Sequence, residues 1–366
     1  MDFNFHMPVN VISGANAVQC HAAQLRALGN SCLIVTGGHS AIASGAQDDL
    51  IAALESCGVT YQIFNGIGPN PLLSACREAG KLAAAFDADF IVGIGGGSPL
   101  DAAKAAAVFA ANPELGDDDF YSYNWPNSPL PIVLIGTTSG TGSEVSAAAV
   151  LTCDDGRKRS VGNLYAAIAF ADAKYTYSMS KAVTVTTALD AFSHAVEGFL
   201  SPKCGAVITV FAQKAIPALW NGLKLMQSDE EITEILHQQL YYASLWAGLV
   251  LNATGTSFPH PFGYILTEDF QIPHGRACTT FLPELIHHTQ VHNPTRAAEL
   301  FSLLNCGIED LEPVIVRLSD TGKIKMSKEQ IESYRPRLVN LKHYASVSGG
   351  YSAEQAVTLF QKLFLK

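Results

Sequence analysis

The feature of the sequence that most constrains the fold is a change of pattern near Ser180. Before it, short apolar runs rich in β-branched residues alternate with stretches of helical periodicity, and after it the patterns are helical. The predicted strands are CLIVTGG, TYQIFNG, FIVGIGGGS, PIVLIGTTS and AAIAFAD. Near-continuous apolar strands that alternate with helices favour a parallel sheet covered by helices. The sequence therefore predicts an α/β domain over 1–180 and an all-helical domain over 181–366.

Composition argues against several classes of function. The 366 residues are 48% hydrophobic, enough for large cores, and the net charge is −10. An acidic chain is a poor partner for nucleic acid or an anionic membrane, and no apolar run predicts a transmembrane helix. The eight cysteines are scattered without a CxxC pair, and the stretch MDFNFHMPVNVISG lacks a signal-peptide pattern. Both observations favour a cytoplasmic protein with reduced thiols.

A glycine turn follows one of the apolar strands, in FIVGIGGGSPLDAAK. Glycines let the backbone approach a ligand closely, and the free amides at a helix start can bind phosphate. Ser98 is predicted to cap the following helix, with Pro99 as its first residue and Asp101 as the capping partner. The motif departs from the usual GxGxxG spacing, so a tight βα turn without a ligand stays open as an alternative.

Two more segments of the α/β half carry polar groups suited to a nucleotide. The loop TTSGTGSEVS follows the next apolar strand and offers several hydroxyls beside two glycines. Lys158 and Arg159 form a short basic run in an acidic chain, which is either a solvated hairpin tip or a phosphate contact. Two polar loops at adjacent strand ends favour a ligand site more than either does alone.

The helical half contains four residues of metal-ligand type. Asp190 and His194 are four residues apart, so a helix places them on one face, and His260 and His274 follow in SFPHPFGYILTEDFQIPHG. A lone histidine on an apolar helical face is usually structural, but one carboxylate with three imidazoles suits Fe(II), Zn or Ni. An ion with an open position can polarise a substrate oxygen. Metal ligands in one half and glycine loops in the other predict a site in the cleft between the domains.

Taken together, these motifs resemble the iron-containing (group III) alcohol dehydrogenases over nearly the whole chain. The matching segments are, in order, GGGSPLDAAK, TTSGTGSEVS, LDAFSHAVEGFLS, PHPFGY and IPHGRA, and they are most similar to the NADP(H)-linked 1,3-propanediol and butanol dehydrogenase subgroup. The resemblance implies a dehydroquinate synthase-like fold, with a Rossmann-like nucleotide-binding domain and an all-α metal-binding domain. It also implies Fe(II), with Zn or Ni as alternatives, held by Asp190, His194, His260 and His274.

The resemblance further implies a set of cofactor-binding residues. They are Gly95, Gly96, Gly97, Ser98, Asp101, Thr137, Thr138 and Thr141, together with Asn70 and either Lys158 or Arg159. NAD-linked members tend to have an acid directly after the LIVT strand, where this chain has Gly37 and Gly38. Glycine admits the 2′-phosphate that an acid would repel, and Ser40 or His39 could donate to it, so NADP(H) is the expected cofactor.

One departure from the family concerns proton transfer. Some members have a further histidine four residues after the third ligand, where this chain has Tyr264. A phenol keeps its proton at neutral pH, so Tyr264 is expected to donate a hydrogen bond or to shape the pocket. Glu197 and Glu144 are the nearest carboxylates in sequence to these motifs, and both are expected to support other groups rather than act as bases.

The implied reaction is reversible hydride transfer between a small primary alcohol, diol or aldehyde and NADP(H), in a homodimer or larger assembly. Two alternatives remain open. A lyase similar to dehydroquinate synthase would need several basic residues for its substrate, and Arg276 is the nearest one to the ligand motifs. A non-enzymatic protein that senses a nucleotide or a metal could also use the same fold.

Overall fold

The computed structural model describes residues 5–339 and 341–366. Residues 1–4, which begin the stretch assessed for a signal peptide, lie outside the described residues. The chain forms two compact units, one of residues 6–180 and one of residues 181–366 with Phe5. No helix in the described ranges has both the length and the apolar character needed to cross a membrane.

The first unit contains a central sheet, a separate hairpin and short to medium helices. Its strands are β1 (Asn10–Ser13), β2 (Ser31–Thr36), β3 (Thr60–Phe64), β4 (Phe90–Gly95), β5 (Ile132–Gly136), β6 (Ala149–Thr152), β7 (Lys158–Val161) and β8 (Ile168–Ala171). Its helices are α1 (Ala17–Cys20), α2 (Ala22–Arg26), α3 (Ser40–Ala43), α4 (Ala46–Ser56), α5 (Leu73–Ala85), α6 (Gly97–Ala111) and α7 (Asp117–Tyr121).

The central sheet is parallel throughout, as the apolar strands predicted. Its strand order is β1-β8-β5-β4-β2-β3, and β6 pairs with β7 in an antiparallel hairpin. Every residue of β4, β5 and β8 is buried, which is typical of a sheet covered on both faces. The chain passes from β2 to β3 on one side and returns to β4 on the other, so the strand order reverses at β2. Ligands of open α/β sheets bind beyond the carboxyl ends of the strands at such a reversal.

Two local expectations were wrong. The first strand, β1, was not predicted, because its four residues at a sheet edge show neither a long apolar run nor clear alternation. Ser98 does not cap α6, because the helix begins at Gly97 with Gly96 in the capping position and without a side-chain cap. The Ser98 hydroxyl instead accepts from the Asn70 amide at 3.2 Å.

The second unit is helical, as predicted. Its helices are α8 (Lys181–Leu200), α9 (Ala206–Leu225), α10 (Glu234–Thr254), α11 (Pro259–Phe270), α12 (His274–Thr279), α13 (Leu282–His292), α14 (Pro294–Leu304), α15 (Ile308–Ser319), α16 (Lys328–Ser333), α17 (Arg335–Leu338) and α18 (Ala353–Phe364). Helix α9 continues through Pro217.

Helix α8 lies at the centre of the helical unit. All of its residues from Ala188 to Leu200 are buried, and it packs against α9, α10 and α12. A helix that is buried all round belongs to a core, so polar side chains on it are desolvated and need partners. Asp190, His194 and Glu197 are such side chains, and they define the candidate site.

Candidate metal centre and nucleotide loops

The four predicted metal ligands converge on one point. The Nε2 atoms of His194, His260 and His274 lie 3.8, 3.6 and 3.8 Å from Asp190 Oδ1. Ligand atoms placed tetrahedrally around one first-row metal ion lie about 3.4 Å apart, because each metal–ligand bond is about 2.0–2.2 Å long. The distances from Asp190 Oδ1 to the three nitrogens are therefore close to those within a ligand set around a single ion.

Two of these atoms are also buried without a hydrogen bond. Asp190 Oδ1 and His260 Nε2 have no hydrogen-bond partner among the described residues, and the two residues are 4% and 3% exposed. Leaving a buried polar atom unsatisfied costs on the order of 1–3 kcal/mol, so such atoms usually have a partner of some kind. A cation between them would satisfy both, and a carboxylate with three imidazoles fits a divalent transition metal.

The local electrostatics favour a cation at this point. Burial alone would raise the pKa of Asp190, but the nearby charges of His194, His274 and His260 hold that pKa well below its ordinary value. Burial would lower the pKa of His260, but Glu197 and Asp190 raise it to about 10. Asp190 is thus ionised at neutral pH, and its negative charge lies within the ligand set.

Glu197 orients His260 from the far side of its ring. His260 Nδ1 lies 2.6 Å from Glu197 Oε1, which also accepts from the Ser193 hydroxyl at 2.7 Å. The other carboxylate oxygen accepts from the backbone amide of Ser257 at 2.8 Å and from its hydroxyl at 3.1 Å. A carboxylate that accepts from the outer nitrogen of a histidine fixes the ring and leaves the inner nitrogen free to bind an ion. The supporting role expected for Glu197 fits this geometry.

Close helix packing brings His274 to the other ligands. His274 is the first residue of α12, and the next residue, Gly275, lies against α8. A Cβ at Gly275 would overlap Thr186 O and lie 2.9 Å from Asp190 Cβ, so only glycine fits there. At the other end of α12, the Thr279 hydroxyl donates a hydrogen bond to the Leu189 carbonyl of α8 at 3.0 Å.

Tyr264 lies beside the most exposed ligand. Its ring is nearly parallel to that of His274, with centroids 5.5 Å apart and an interplanar angle of 19°. The His274 side chain is 29% exposed, whereas those of His194, His260 and Asp190 are 4–6% exposed. The ligand set is therefore more accessible on the side of His274 and Tyr264 than on any other ligand's side.

In the α/β unit, the two glycine- and hydroxyl-rich loops leave the sheet side by side. Gly95 pairs with Gly136 in the register of β4 and β5, so the loops that follow begin at one edge of the sheet. A Cβ at Gly97 would lie 2.6 Å from Thr141 Cγ2, and one at Gly96 would lie 3.1 Å from Thr138 Cγ2. The glycines thus allow the loops to pack together. The Thr137 Oγ1 and Ser139 Oγ atoms are buried without a hydrogen-bond partner in the described part of the chain.

A buried lysine that the sequence analysis did not single out holds the second loop. Lys104 Nζ donates to the carbonyls of Ser143, Ser146 and Ala148 at 2.7–2.9 Å and contacts Ser143 Oγ at 2.9 Å. Its charge also lies 4.0 Å from Asp101 Oδ1. Burial lowers the pKa of Lys104 to about 8, despite the opposing charges of Asp101 and Glu144. No sequence motif predicts that Lys104 holds this loop, because the acceptor atoms lie about forty residues further along the chain.

Asp101 acts as a bridge rather than as a capping partner. Its Oδ1 accepts from the Ser143 hydroxyl at 2.6 Å, and its Oδ2 accepts from the Val150 amide at 2.8 Å. Burial raises its pKa, while Lys104 and Ser143 oppose that rise. Helix α6 is thereby tied to the second loop and to β6.

The two basic residues of the hairpin have different surroundings. Lys158 and Arg159 are successive residues of strand β7, so their side chains project from opposite faces of the hairpin. The Lys158 charge acts on Asp101, next to the loops. The Arg159 guanidinium lies 3.9 Å from the centre of the Tyr121 ring. The hairpin therefore directs Lys158 towards the candidate nucleotide loops and leaves Arg159 in a cation–π contact.

The remaining predicted cofactor residues lie around the same edge. Gly37 and Gly38 follow β2, and Ser40 begins α3 with His39 in its capping position. Asn70 has a left-handed backbone (φ 56°), and its carbonyl accepts from the Thr152 hydroxyl at 3.3 Å. The structure thus gathers residues from five segments at the carboxyl ends of β2, β4 and β5.

Comparisons with family models and with solved structures both match this chain to one family. Residues 8–173 match the family described as iron-containing alcohol dehydrogenase, and residues 184–325 match the C-terminal domain of that family. A crystal structure of an iron-containing alcohol dehydrogenase from Thermotoga maritima superposes with a TM-score of 0.91, at 30% identity over 99% of each chain.

Curated relatives have the same family character. The chain is 29% identical to a sulfoacetaldehyde reductase of Bilophila wadsworthia, over 83% of this chain and 79% of the relative. It is also 29% identical to a 1,3-propanediol dehydrogenase of Klebsiella pneumoniae, over 84% and 81%. With the helical metal-ligand set and the parallel-sheet unit already described, these matches show that this chain is an oxidoreductase of the iron-containing alcohol dehydrogenase family.

Proposed function

We propose that this chain transfers hydride reversibly between a small primary alcohol or diol, or the corresponding aldehyde, and NADP(H), with Fe(II) held by Asp190, His194, His260 and His274. The observation that carries the proposal is the convergence of three imidazole nitrogens on one buried carboxylate oxygen at 3.6–3.8 Å. Fe(II) bound there would supply Lewis-acid chemistry to a substrate oxygen. The family supports the reaction class.

The chain's own residues assign a direction of approach and a role for Tyr264. Substrate reaches the ligand set past His274, because that ligand is far more exposed than the other three. Tyr264 stacks on the His274 ring and forms one wall of the entry. Phenols are hydrogen-bond donors, and Tyr264 donates a hydrogen bond that orients the substrate oxygen rather than acting as a base.

The α/β unit supplies the nucleotide site of the proposed enzyme. Helix α6 begins without a side-chain cap, and the Thr137 hydroxyl is buried without a hydrogen-bond partner among the described residues, so the helix start and this hydroxyl are available to the pyrophosphate. Lys158 is the basic contact, because Arg159 is stacked on Tyr121. Asp101 and Lys104 act as positioning residues that hold the loops in place.

The preference for NADP(H) rests on Gly37. An acid at this point would accept from the ribose hydroxyls of NAD and repel a 2′-phosphate, and glycine does neither. A matched pair of variants isolates the charge, because G37D and G37A both add a Cβ about 3.0 Å from Ile67 O. G37D is expected to raise the KM for NADPH far more than the KM for NADH, whereas G37A should affect both alike.

The deciding experiment is metal analysis of anaerobically purified protein, followed by an alcohol and aldehyde panel with NAD(H) and NADP(H). The panel includes 1,3-propanediol, butanol and sulfoacetaldehyde, so that neutral and anionic substrates compete. We expect one iron per chain, and faster turnover of the neutral substrates than of sulfoacetaldehyde, with NADP(H) rather than NAD(H). Full activity in metal-free protein would refute the metal's role. Faster turnover of sulfoacetaldehyde than of the neutral substrates would show that the substrate is an anion.

A further inference from the structure

A second group of ligand-type atoms overlaps the proposed iron site. Cys278 Sγ lies 3.5 Å from Nδ1 and 3.6 Å from Nε2 of His274, and 3.9 Å from the carbonyl oxygen of His260. One ligand atom from each of His260, His274 and Cys278 falls within 4.8 Å of the others. The set formed by Asp190, His194 and His260 meets the same criterion. His260 thus belongs to an oxygen- and nitrogen-rich group on one side and to a sulfur-containing group on the other.

The sulfur is held in place by the same packing that forms the site. Cys278 is one helical turn after His274 on α12 and is fully buried. Where α11 crosses α12, a Cβ at Gly263 would lie 2.6 Å from Cys278 Sγ and 2.7 Å from its backbone nitrogen. Because the two helices are in contact through a glycine, the thiol on α12 is held close to His260 on α11.

The buried nitrogen of His260 belongs to both groups of ligand-type atoms. His260 Nε2 has no hydrogen-bond partner in the described ranges, and Glu197 fixes the ring through its other nitrogen. Once the ring releases a proton, Nε2 presents a lone pair to the space that it shares with His274. Two imidazoles and a thiol are a donor set typical of zinc and other thiophilic ions, whereas carboxylate and imidazole alone serve Fe(II) as well.

We infer that Cys278 is an additional metal ligand, which binds zinc-like ions at this centre together with His260 and His274. On binding, the thiol and the protonated His260 ring each release a proton to solvent as the metal–sulfur and metal–nitrogen bonds form, with no change of oxidation state. The inference rests on the proposed metal centre and deepens it, because it assigns the site two overlapping donor sets. One set serves Fe(II) and the other favours softer ions.

The test loads the full-length apo protein with Co²⁺ or Zn²⁺ alone, under anaerobic conditions. Wild-type protein with Co²⁺ should show a near-ultraviolet thiolate-to-metal charge-transfer band, and its Zn²⁺ form should show a sulfur shell at about 2.3 Å by X-ray absorption. C278S should still bind Co²⁺ but lose the band. C306S is the matched control, since Cys306 is in the same helical unit, and it should keep the band.

The possible results separate the two proposals. Co²⁺ binding by wild-type protein without the band, or a band that persists in C278S, overturns the role of Cys278 and leaves the iron site standing. Failure of wild-type protein to bind Co²⁺, Zn²⁺ or Fe²⁺ overturns the metal centre and the proposed function with it. The sulfur shell is measured on wild-type protein, so the test does not depend on a variant that folds.

Discussion

The two candidate sites of this chain are built by opposite means. In the α/β unit, the positioning groups are bonded within the protein: Lys104 donates to the loop carbonyls, and both oxygens of Asp101 accept hydrogen bonds. In the helical unit, Asp190 Oδ1 and His260 Nε2 converge and remain without a hydrogen bond among the described residues. Anions such as phosphate can be bound by backbone amides, whereas a metal ion needs side-chain lone pairs. The bonded side chains of the α/β unit therefore fix the shape of its loops, whereas the converging atoms of the helical unit are themselves left for a ligand.

The difference also appears in how glycine is used. Beside the nucleotide loops, glycines allow two loops to approach each other, as Gly97 does against Thr141. In the metal centre, Gly275 and Gly263 let whole helices touch, so that side chains from α8, α11 and α12 meet. The same residue type serves loop packing in one unit and helix packing in the other.

The largest expected effect comes from removing a ligand. H260A should lose tightly bound iron and all turnover, because it removes one of the converging nitrogens. It should still bind NADPH, since the nucleotide loops belong to the other unit. Metal analysis and NADPH fluorescence titration measure the two properties, and loss of nucleotide binding as well would contradict the separation of the two sites.

A smaller effect is expected from the residue that orients His260. E197Q keeps the shape of the side chain but removes the charge that faces His260 Nδ1 and the Ser257 amide. Metal affinity should fall roughly 10–100-fold, as is usual when an orienting carboxylate is altered. Competition with a chelator measures it. E299Q, at an exposed glutamate paired with Arg296, is the control and should leave the affinity unchanged.

Lys104 tests the positioning network of the α/β unit. K104M should lower the free energy of unfolding by about 1–3 kcal/mol, because buried carbonyls lose their donor. Denaturant titration measures this loss, and NADPH affinity should fall while metal content stays constant. K81M, at an exposed lysine of α5, is the control. A change in metal content without a change in NADPH affinity would show that Lys104 supports the metal centre and not the nucleotide loops.

The same lysine gives a pH dependence of stability. Its pKa is lowered from 10.5 to about 8 in the folded chain, so between about pH 8 and pH 10.5 the unfolded chain holds more protons than the folded one. Stability rises with pH wherever that is so. This contribution of Lys104 should therefore increase across that window, and it should be absent in K104M. Denaturant curves at several pH values show whether the difference between the two proteins changes in this direction.

The smallest effect distinguishes the two basic residues of the hairpin. K158A should weaken NADPH binding, whereas R159A should leave it nearly unchanged, because Arg159 is stacked on Tyr121. A contact between charges that are partly exposed is worth on the order of 1 kcal/mol, so a several-fold change is expected. The reverse result would mean that the hairpin presents its other face to the cofactor.

Much of the fold was predictable because local rules decide it. Apolar runs separated by helical patterns predict a covered parallel sheet, and the absence of such runs after Ser180 predicts helices. The short edge strand β1 and the start of α6 are two features that departed from expectation. In both cases the partner that decides the outcome is distant in sequence: β1 is paired with β8, and the Ser98 hydroxyl accepts from Asn70.

The sequence by itself determined that Asp190 and His194 share one helical face, since that follows from the period of the helix alone. Only the tertiary structure decided that His260 and His274 reach the same oxygen, because the Gly275 contact that brings α12 against α8 joins segments far apart in the chain. It also placed Lys104 among the loop carbonyls and brought Cys278 to the backbone of His260 on the neighbouring helix. Neither contact can be predicted from local spacing. The chemical roles of Lys104 and Cys278 depend on their burial and on the groups that the tertiary structure places beside them.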